Sequence, residues 1–555
     1  KLPTDGYTDT ASIMAFGYNP YLASWSPYHG AAYAVVEAAS KVVAAGARYD
    51  RMRYSYQEYF ERMHTETSWG KPLAALLGAL RMQIELGLPS IGGKDSMSGT
   101  FQNINVPPML MAFGITTVDA RTVISPEFKA SGHNIYIIRH TPRANHMPDS
   151  EALKRNFDFV STAIERGDIV AAYAVGFGGV VEAVSKMSFG NRVGADVRME
   201  EHKLFDYAYG SIVVEAVGEL DYPAAEKIGT TAAAAEVVFN GERFAVDELQ
   251  KVNSRKFCSV YPDRGIEGGT TRASMPERRE VKYEGKPVDE VKVYIPVFSG
   301  TNCDYDTAKA FERAGAHVAT SVFCDLTADD IFASIETMKR MIDGCHIFVL
   351  SGGFSAGDEP DGSGKFIANV LNNRKITDAI HALLDRGGLI LGICNGFQAL
   401  VKSGLLPYGR LGCVGKESPT LFRNDINRHV SQIVTTRVAT VNSPWLSSFE
   451  VGELHSIAVS HGEGKFVVSD EMAEELFRNG QVAFQYVDPD GNATLRAPYN
   501  PNGSSFGIEG IISRDGHILG KMGHTERYED GLFKNIAGNK VQEIFANAVN
   551  YFKGK

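Results

Sequence analysis

The chain has 555 residues, 44% of them hydrophobic and 22% charged, with a net charge of −10 and a pI near 5.8. That length exceeds what one hydrophobic core serves, and the acidic balance excludes a broad nucleic-acid surface while leaving room for a local phosphate pocket. No apolar run reaches membrane-spanning length, and six cysteines at 258, 303, 324, 345, 394 and 413 without a CxxC pair indicate neither a disulfide framework nor a zinc site, so the expected setting is a reducing cytoplasm without membrane or nucleic-acid partners.

The opening Lys1-Leu2-Pro3-Thr4-Asp5-Gly6 has neither an initiator Met nor the apolar centre of a signal peptide, which reads as the start of a fragment. Residues 1–126 read as one α+β subdomain. Tyr33, Val36, Ala39 and Val43 recur at helical spacing up to Gly46. A second helix has Pro72 at its start, Leu73, Leu76, Leu77, Leu80 and Ile84 on one face, and Gly87 as its stop. Leu88-Pro89-Ser90-Ile91 then leads into the polar loop Gly92-Gly93-Lys94-Asp95-Ser96-Met97-Ser98, and Met109 to Val118 reads as a buried strand.

Residues 127–255 read as a second α+β subdomain. A strand at Asn134-Ile135-Tyr136-Ile137-Ile138 precedes a helix from about Ser150 to Gly167. A further helix follows Gly176-Phe177-Gly178-Gly179, and Tyr209 to Val217 is strand-like. Apolar periodicity fades from Phe257 among Gly265, Gly268, Gly269 and Pro276, which makes 256–290 a linker.

In residues 291–555 the rhythm changes. Strands at Lys292 to Phe298, Val318 to Phe323 and His346 to Leu350 alternate with helices ending near Ala314 and Asp343. One long helix then carries Phe366, Ile367, Val370, Leu371, Ile380, Leu383 and Leu384. Such alternation predicts an α/β domain with a central, mostly parallel sheet and its active site at the strands' carboxyl ends. Beyond Pro407, strand-like runs at Gln432 to Val438, Phe466 to Val468, Val482 to Tyr486 and Gly507 to Ser513 add β structure.

The stretch with most chemical content is Leu389-Ile390-Leu391-Gly392-Ile393-Cys394-Asn395-Gly396-Phe397-Gln398. It reads as a strand turning at a cysteine into a helix, with glycines two before and two after permitting a tight turn that exposes the thiol. A helix N-terminus also favours thiolate; the bland alternative is a buried strand cysteine. A thiol nucleophile needs a base and an orienting group. His524 and Glu526, two apart after a strand-like run, can supply both, although alone they could be a surface histidine beside a solvated pair. Ser351-Gly352-Gly353-Phe354-Ser355 follows the third strand and could aim amides at an oxyanion, or be a plain turn.

The Gly-x-Cys-x-Gly-x-Gln elbow, the Gly-Gly loop and the late His-x-Glu together resemble the class I (triad) glutamine amidotransferase family. Ser299-Gly300-Thr301-Asn302-Cys303-Asp304, Gly352-Gly353-Phe354-Ser355, His461-Gly462-Glu463-Gly464 and Asn500-Pro501-Asn502-Gly503-Ser504 narrow that likeness to the phosphoribosylformylglycinamidine synthase family. The resemblance implies a flavodoxin- or Rossmann-like glutaminase over 291–555. In it Cys394 attacks the glutamine amide, His524 shuttles the proton, Glu526 orients His524, and Gly352, Gly353, Phe354, Asn395, Gln398 and His461 form the oxyanion and glutamine site, with no cofactor.

Within that resemblance the Gly92–Ser98 loop is similar to one in the second of two tandem synthetase repeats, each like aminoimidazole ribonucleotide synthetase. Gly93, Lys94, Asp95 and Ser96 then become a phosphate or substrate loop; alone, the stretch could be a turn. Family members often hold an auxiliary nucleotide there through magnesium. The corresponding positions here are Glu37, Lys41 and Phe177-Gly178-Gly179, and neither lysine nor phenylalanine is an oxygen ligand. A degenerate site, with Glu37 as a remnant metal ligand paired to Lys41, is therefore expected.

The reaction implied is conversion of formylglycinamide ribonucleotide, ATP and glutamine to formylglycinamidine ribonucleotide, with ATP and Mg2+ serving the complete synthetase. Its first repeat, which would supply much of the ATP site, is a missing N-terminal partner of this fragment. The alternative is a cysteine hydrolase or peptidase of the same superfold fused to a non-catalytic scaffold.

Overall fold

Beyond residue 256 the sequence changes rhythm, and the fold divides into two units, Lys1–Lys256 and Phe257–Lys555. The computed structural model describes all residues except 3, 5, 6, 257, 260–266, 275, 358–362, 534, 535 and 555. Pro3, Asp5 and Gly6 of the opening segment, and Phe257 and Gly265 of the expected linker, lie outside the described residues.

In the first unit, a four-stranded sheet runs in the order Thr10–Gly17, Met109–Asp119, Arg53–Tyr59, Ser90–Lys94. The first three are antiparallel, and Ser90–Lys94 lies parallel to Arg53–Tyr59 at the edge. The sequence reading took residues 92–98 as a loop; Gly92, Gly93 and Lys94 belong to this edge strand, where Gly92 sits at φ +140 beside a register shift. The helix Pro27–Ala44 starts at a Ser26 cap with Pro27 in the first turn and is buried along most of its length.

The helix Glu66–Leu86 begins earlier than expected. A capping box between Thr65 and Ser68 sets its start, Pro72 lies in its second turn, and Gly87 closes it in the left-handed conformation. Its buried face is not the leucine face. Ala75, Gly78, Ala79, Met82 and Leu86 face inward, while Leu73, Leu76, Leu77, Leu80 and Ile84 are 45–70% exposed. Close approach at the middle of the helix contributes to the inversion: a Cβ on Gly78 would lie 2.0 Å from the Tyr28 carbonyl oxygen, so no side chain fits there against the neighbouring helix. A seven-stranded sheet forms the rest of the unit, with Asn134–Ile138 and Ile212–Ala216 as adjacent antiparallel strands.

The second unit is built on a nine-stranded sheet in the order His317–Val322, Lys292–Val297, Ile347–Leu350, Leu389–Ile393, Ile518–Lys521, Ile508–Ile512, Val482–Tyr486, Val430–Val438, Leu454–His461. The first five strands are mutually parallel, and every pairing from Ile518–Lys521 outward is antiparallel. The sheet is thus mixed rather than mostly parallel, because the chain beyond Pro407 lacks most of the crossover helices that parallel pairing needs. The expected long helix is two, Lys365–Leu371 and Arg374–Asp385, separated where the Asn373 side chain caps the second. The described part of 256–290 lies along this unit: Thr270 bridges Thr494, and the Ser274 amide donates to Gln485 Oε1 at 3.0 Å. Among the described residues no helix is long and apolar enough to cross a membrane.

The inverted helix face has a measurable consequence. Met82→Ala should cost about 2–5 kcal/mol in urea unfolding of the first unit, whereas Leu77→Ser should stay within about 0.5 kcal/mol; the opposite order would put the leucines in the core.

Candidate active site

The strand Leu389–Ile393 is buried at every position and ends in a sharp turn. Cys394 there has φ 52 and ψ −106, a conformation that residues with a side chain adopt only under constraint and that marks strained nucleophile turns. Both neighbouring glycines are required. A Cβ on Gly396 would lie 1.9 Å from the Leu350 carbonyl oxygen, and one on Gly392 would lie 2.7 Å from the Gly396 oxygen. The Cys394 amide donates to the Lys521 carbonyl at 2.9 Å, and the Cys394 carbonyl accepts from Gln398 N at 3.0 Å, opening the helix Asn395–Ser403.

Lys521 ends the strand beside this one, so the turn after it carries His524 and Glu526 to the elbow. His524 Nδ1 and Glu526 Oε1 are 2.6 Å apart and both side chains are buried. With Nδ1 committed to the carboxylate, Nε2 remains, buried and without a partner among the described residues. Burial pulls the imidazole's pKa down, but the Glu526 carboxylate and the Cys394 and Cys303 thiols outweigh it and hold His524 well above 6.5. Glycine at 352 lets these groups converge: a Cβ there would sit 2.9 Å from His524 Cε1, 3.1 Å from Cys303 Sγ and 3.5 Å from Cys394 Cβ.

A narrow cavity of about 50 Å³ opens onto the thiol, lined among others by Cys394, His524, Gln398, His461, Gly353 and Phe354. Gln398 donates through Nε2 to the Glu463 carbonyl at 2.5 Å and accepts from Asn395 Nδ2 at 3.0 Å. Asn395 also accepts from the Ser355 amide at 3.2 Å, so it braces the elbow and does not line the cavity. Burial, with the charges of His524 and His429, pushes His461 down to about 3; its ring is neutral at physiological pH, and both nitrogens lack partners among the described residues. The Phe354 amide is committed to the Gly300 carbonyl at 2.9 Å, so Phe354 contributes its half-exposed ring and not a backbone donor.

The sequence reading left Cys303 and Arg527 out of the site, although Cys303 stands within a quoted motif and Arg527 directly follows Glu526. Each lines the cavity. Arg527 donates to Cys303 Sγ at 2.9 Å, and Cys303 Sγ lies 3.9 Å from His524 Nδ1. Donor atoms of Cys303, His524 and Glu526 lie within 4.8 Å of one another, close enough to hold a metal ion. The Arg527 guanidinium against the sulfur and the short His524–Glu526 contact oppose a cation there. What the arrangement supports is a thiol nucleophile with an imidazole base and an orienting carboxylate.

In the first unit, Gly93, Lys94 and Asp95 line a cavity of about 450 Å³ together with Glu58 and the exposed leucines of the 66–86 helix; Ser96 does not. The Ser96 amide is already bonded to the Glu58 carbonyl at 3.1 Å. Burial and the neighbouring Asp95 push Glu58 up to about 7. Glu37 is buried, with Lys41 Nζ at 2.8 Å and the Tyr18 amide at 3.0 Å; burial raises its pKa despite Lys41. Phe177 stacks on Tyr21 at 5.3 Å.

Residues 290–552 match the family model of the CobB/CobQ-like glutamine amidotransferase domain. The chain is 33% identical over 253 residues to the phosphoribosylformylglycinamidine synthase subunit PurQ of Gloeobacter violaceus, covering 46% of this chain and 96% of that protein. Identity to PurQ of Chlorobaculum tepidum is 35% over 259 residues, covering 46% and 97%. Among solved structures, Thermotoga maritima PurL complexed with FGAR resembles the chain distantly, at 17% identity and a TM-score of 0.38 over 50% of each chain. Through its PurQ-like half, which aligns with nearly the whole of those subunits, the chain belongs to the phosphoribosylformylglycinamidine synthase family of glutamine-dependent carbon–nitrogen ligases.

Proposed function

We propose that the second unit releases ammonia from glutamine at Cys394. His524 takes the thiol proton as the sulfur attacks the side-chain amide carbon, and returns it to the departing ammonia. The resulting glutamyl thioester is then hydrolysed by a water that gives its proton to the same imidazole, freeing glutamate and the thiol. The amide of Gly353, in the cavity lining, is the donor for the tetrahedral oxyanion, while Gln398 and the neutral His461 hold the substrate. The carrying observation is the 2.6 Å His524–Glu526 contact, which leaves a buried Nε2 with no partner among the described residues in a site shared with a strained cysteine. Thiol, imidazole and carboxylate carry the hydrolysis without a cofactor.

The released ammonia would serve the reaction of the family: conversion of formylglycinamide ribonucleotide to formylglycinamidine ribonucleotide at the expense of ATP, in the cytoplasm. The first unit is read as part of that synthetase, with Lys94 the cation lining its cavity. The exposed Leu73, Leu76, Leu77, Leu80 and Ile84 form a surface suited to a further synthetase repeat. Magnesium at Glu37 does not fit the residues present, since its carboxylate is held by Lys41 and the Tyr18 amide and Phe177 offers no oxygen ligand. An auxiliary nucleotide site there is degenerate.

Cys394→Ala should lower glutamate release by about 10³-fold or more, and Glu526→Gln by about 10²–10⁴-fold through loss of the imidazole's orientation. A glutamine-like chloroketone should label Cys394 in the wild type, and peptides should not be cleaved; peptide cleavage without labelling would favour the peptidase reading. Because the folded pKa of His524 lies above 6.5, its stabilisation is fully present below that pH and is lost as pH rises through the folded value. Thermal melts should therefore show the stability gap between wild type and Glu526→Gln shrinking at alkaline pH; a gap that widens would reverse the sign. In the enzyme assembled with the remaining synthetase repeat, Lys94→Ala should impair ATP-dependent amidine formation and leave glutaminase intact; equal loss of both would remove Lys94 from the synthetase site.

A further inference from the structure

Lys521 has no role in the chemistry described above, yet it is wholly buried at the end of an otherwise apolar strand. Its ammonium donates to the Gly523 carbonyl at 3.1 Å, Thr525 Oγ1 at 2.7 Å and Gln542 Oε1 at 3.0 Å. Gly523 and Thr525 are the residues on either side of His524. The Lys521 carbonyl, meanwhile, accepts the amide of Cys394 itself at 2.9 Å. One residue thus holds the nucleophile by its backbone and the base-bearing turn by its side chain.

Burying an ammonium is costly unless it is paired and fully hydrogen-bonded. Here Glu509 supplies the countercharge at 3.7 Å and also accepts the Gly523 amide at 2.5 Å, while Thr525 Oγ1 donates on to Gln542 at 2.6 Å. A methionine or leucine would fill the position without that desolvation, as Ile518 and Leu519 do earlier in the strand. The expense fits a functional constraint on the His524 turn better than a packing need.

We propose that Lys521 is a positioning residue for the glutaminase, tethering the Gly523–Thr525 turn so that His524 stays in register with Cys394. The charged and titratable groups around it are Glu509 from the Ile508–Ile512 strand, His455 from Leu454–His461, His524 and Glu526 from its own turn, and Cys394 from the elbow. His455 is itself 3.1 Å from Glu453. With the ammonium removed, Glu526 has one neighbouring cation fewer against His524, which Cys394, Cys303 and His461 also face, so the imidazolium is favoured and the acid limb of the rate profile moves to higher pH. The inference rests on the Cys394 glutaminase reading.

The test is steady-state glutamine hydrolysis across pH by the full chain carrying Lys521→Met, Lys521→Arg or Lys521→Met with Glu509→Gln. Lys521→Met should lower kcat about 10- to 100-fold with KM changed by less than about threefold, and should move the acid limb upward. Lys521→Arg should return that limb towards its wild-type position. The double variant should also return the limb, and should fold if the single one does not, but its kcat should stay low because the tether is gone. A wild-type kcat and pH profile in folded Lys521→Met, or full recovery of kcat in the double variant, would overturn the proposal by reducing Lys521 to a structural charge. Cys394→Ala run alongside separates the two readings: if it retains glutaminase activity the site assignment fails, and if it is inactive while Lys521→Met is unaffected only the positioning role fails.

Discussion

A side chain forced to φ 52 at the end of a buried strand is the constraint on which the second unit depends. The strain at Cys394 is tolerated because the surroundings fix the turn on every side. Gly396 lets the chain pass within van der Waals distance of Leu350, the helix Asn395–Ser403 starts at once, and the cysteine amide is bonded to Lys521 on the adjacent parallel strand. That last bond matters for chemistry as well as for folding. The strand that restrains Cys394 is the same one that delivers the His524 imidazole and its carboxylate, so elbow and imidazole share one rigid frame.

The electrostatics follow from that frame. Two buried pairs lie side by side, His524 with Glu526 and Lys521 with Glu509, and in each the second carboxylate oxygen has no hydrogen-bond partner among the described residues. The Glu526 contact engages Nδ1 and leaves Nε2 as the nitrogen that could take the Cys394 thiol proton. His461, neutral by burial, adds hydrogen-bonding capacity to the cavity without adding charge.

Much of this was legible in the sequence, and the gaps have physical causes. Cys394, His524 and Glu526 were readable because a tight turn and a tautomer-fixing carboxylate leave local signatures two residues wide. Cys303 and Arg527 have no such signature as a pair; they meet only through the fold, more than two hundred residues apart. Lys521 looked like an ordinary charged residue, since periodicity says nothing about which buried polar groups are satisfied. In the first unit the Glu66–Leu86 helix misled because Leu73, Leu76, Leu77, Leu80 and Ile84 point outward, the inward face being made by Ala75, Gly78, Ala79, Met82 and Leu86. The strand Arg53–Tyr59 was missed because its inward positions are Tyr54, Tyr56 and Glu58, which do not read as an apolar alternation.

The central claim, that Cys394 forms a glutamyl thioester, is tested most directly by acid-quenching the chain during turnover of labelled glutamine and mapping the label by peptide mass spectrometry. The account predicts label on the peptide containing Cys394, absent in Cys394→Ala. Label on Cys303 instead, or steady glutamate release with no covalent label on a cysteine under conditions where hydrolysis of the thioester is slowed, would contradict it.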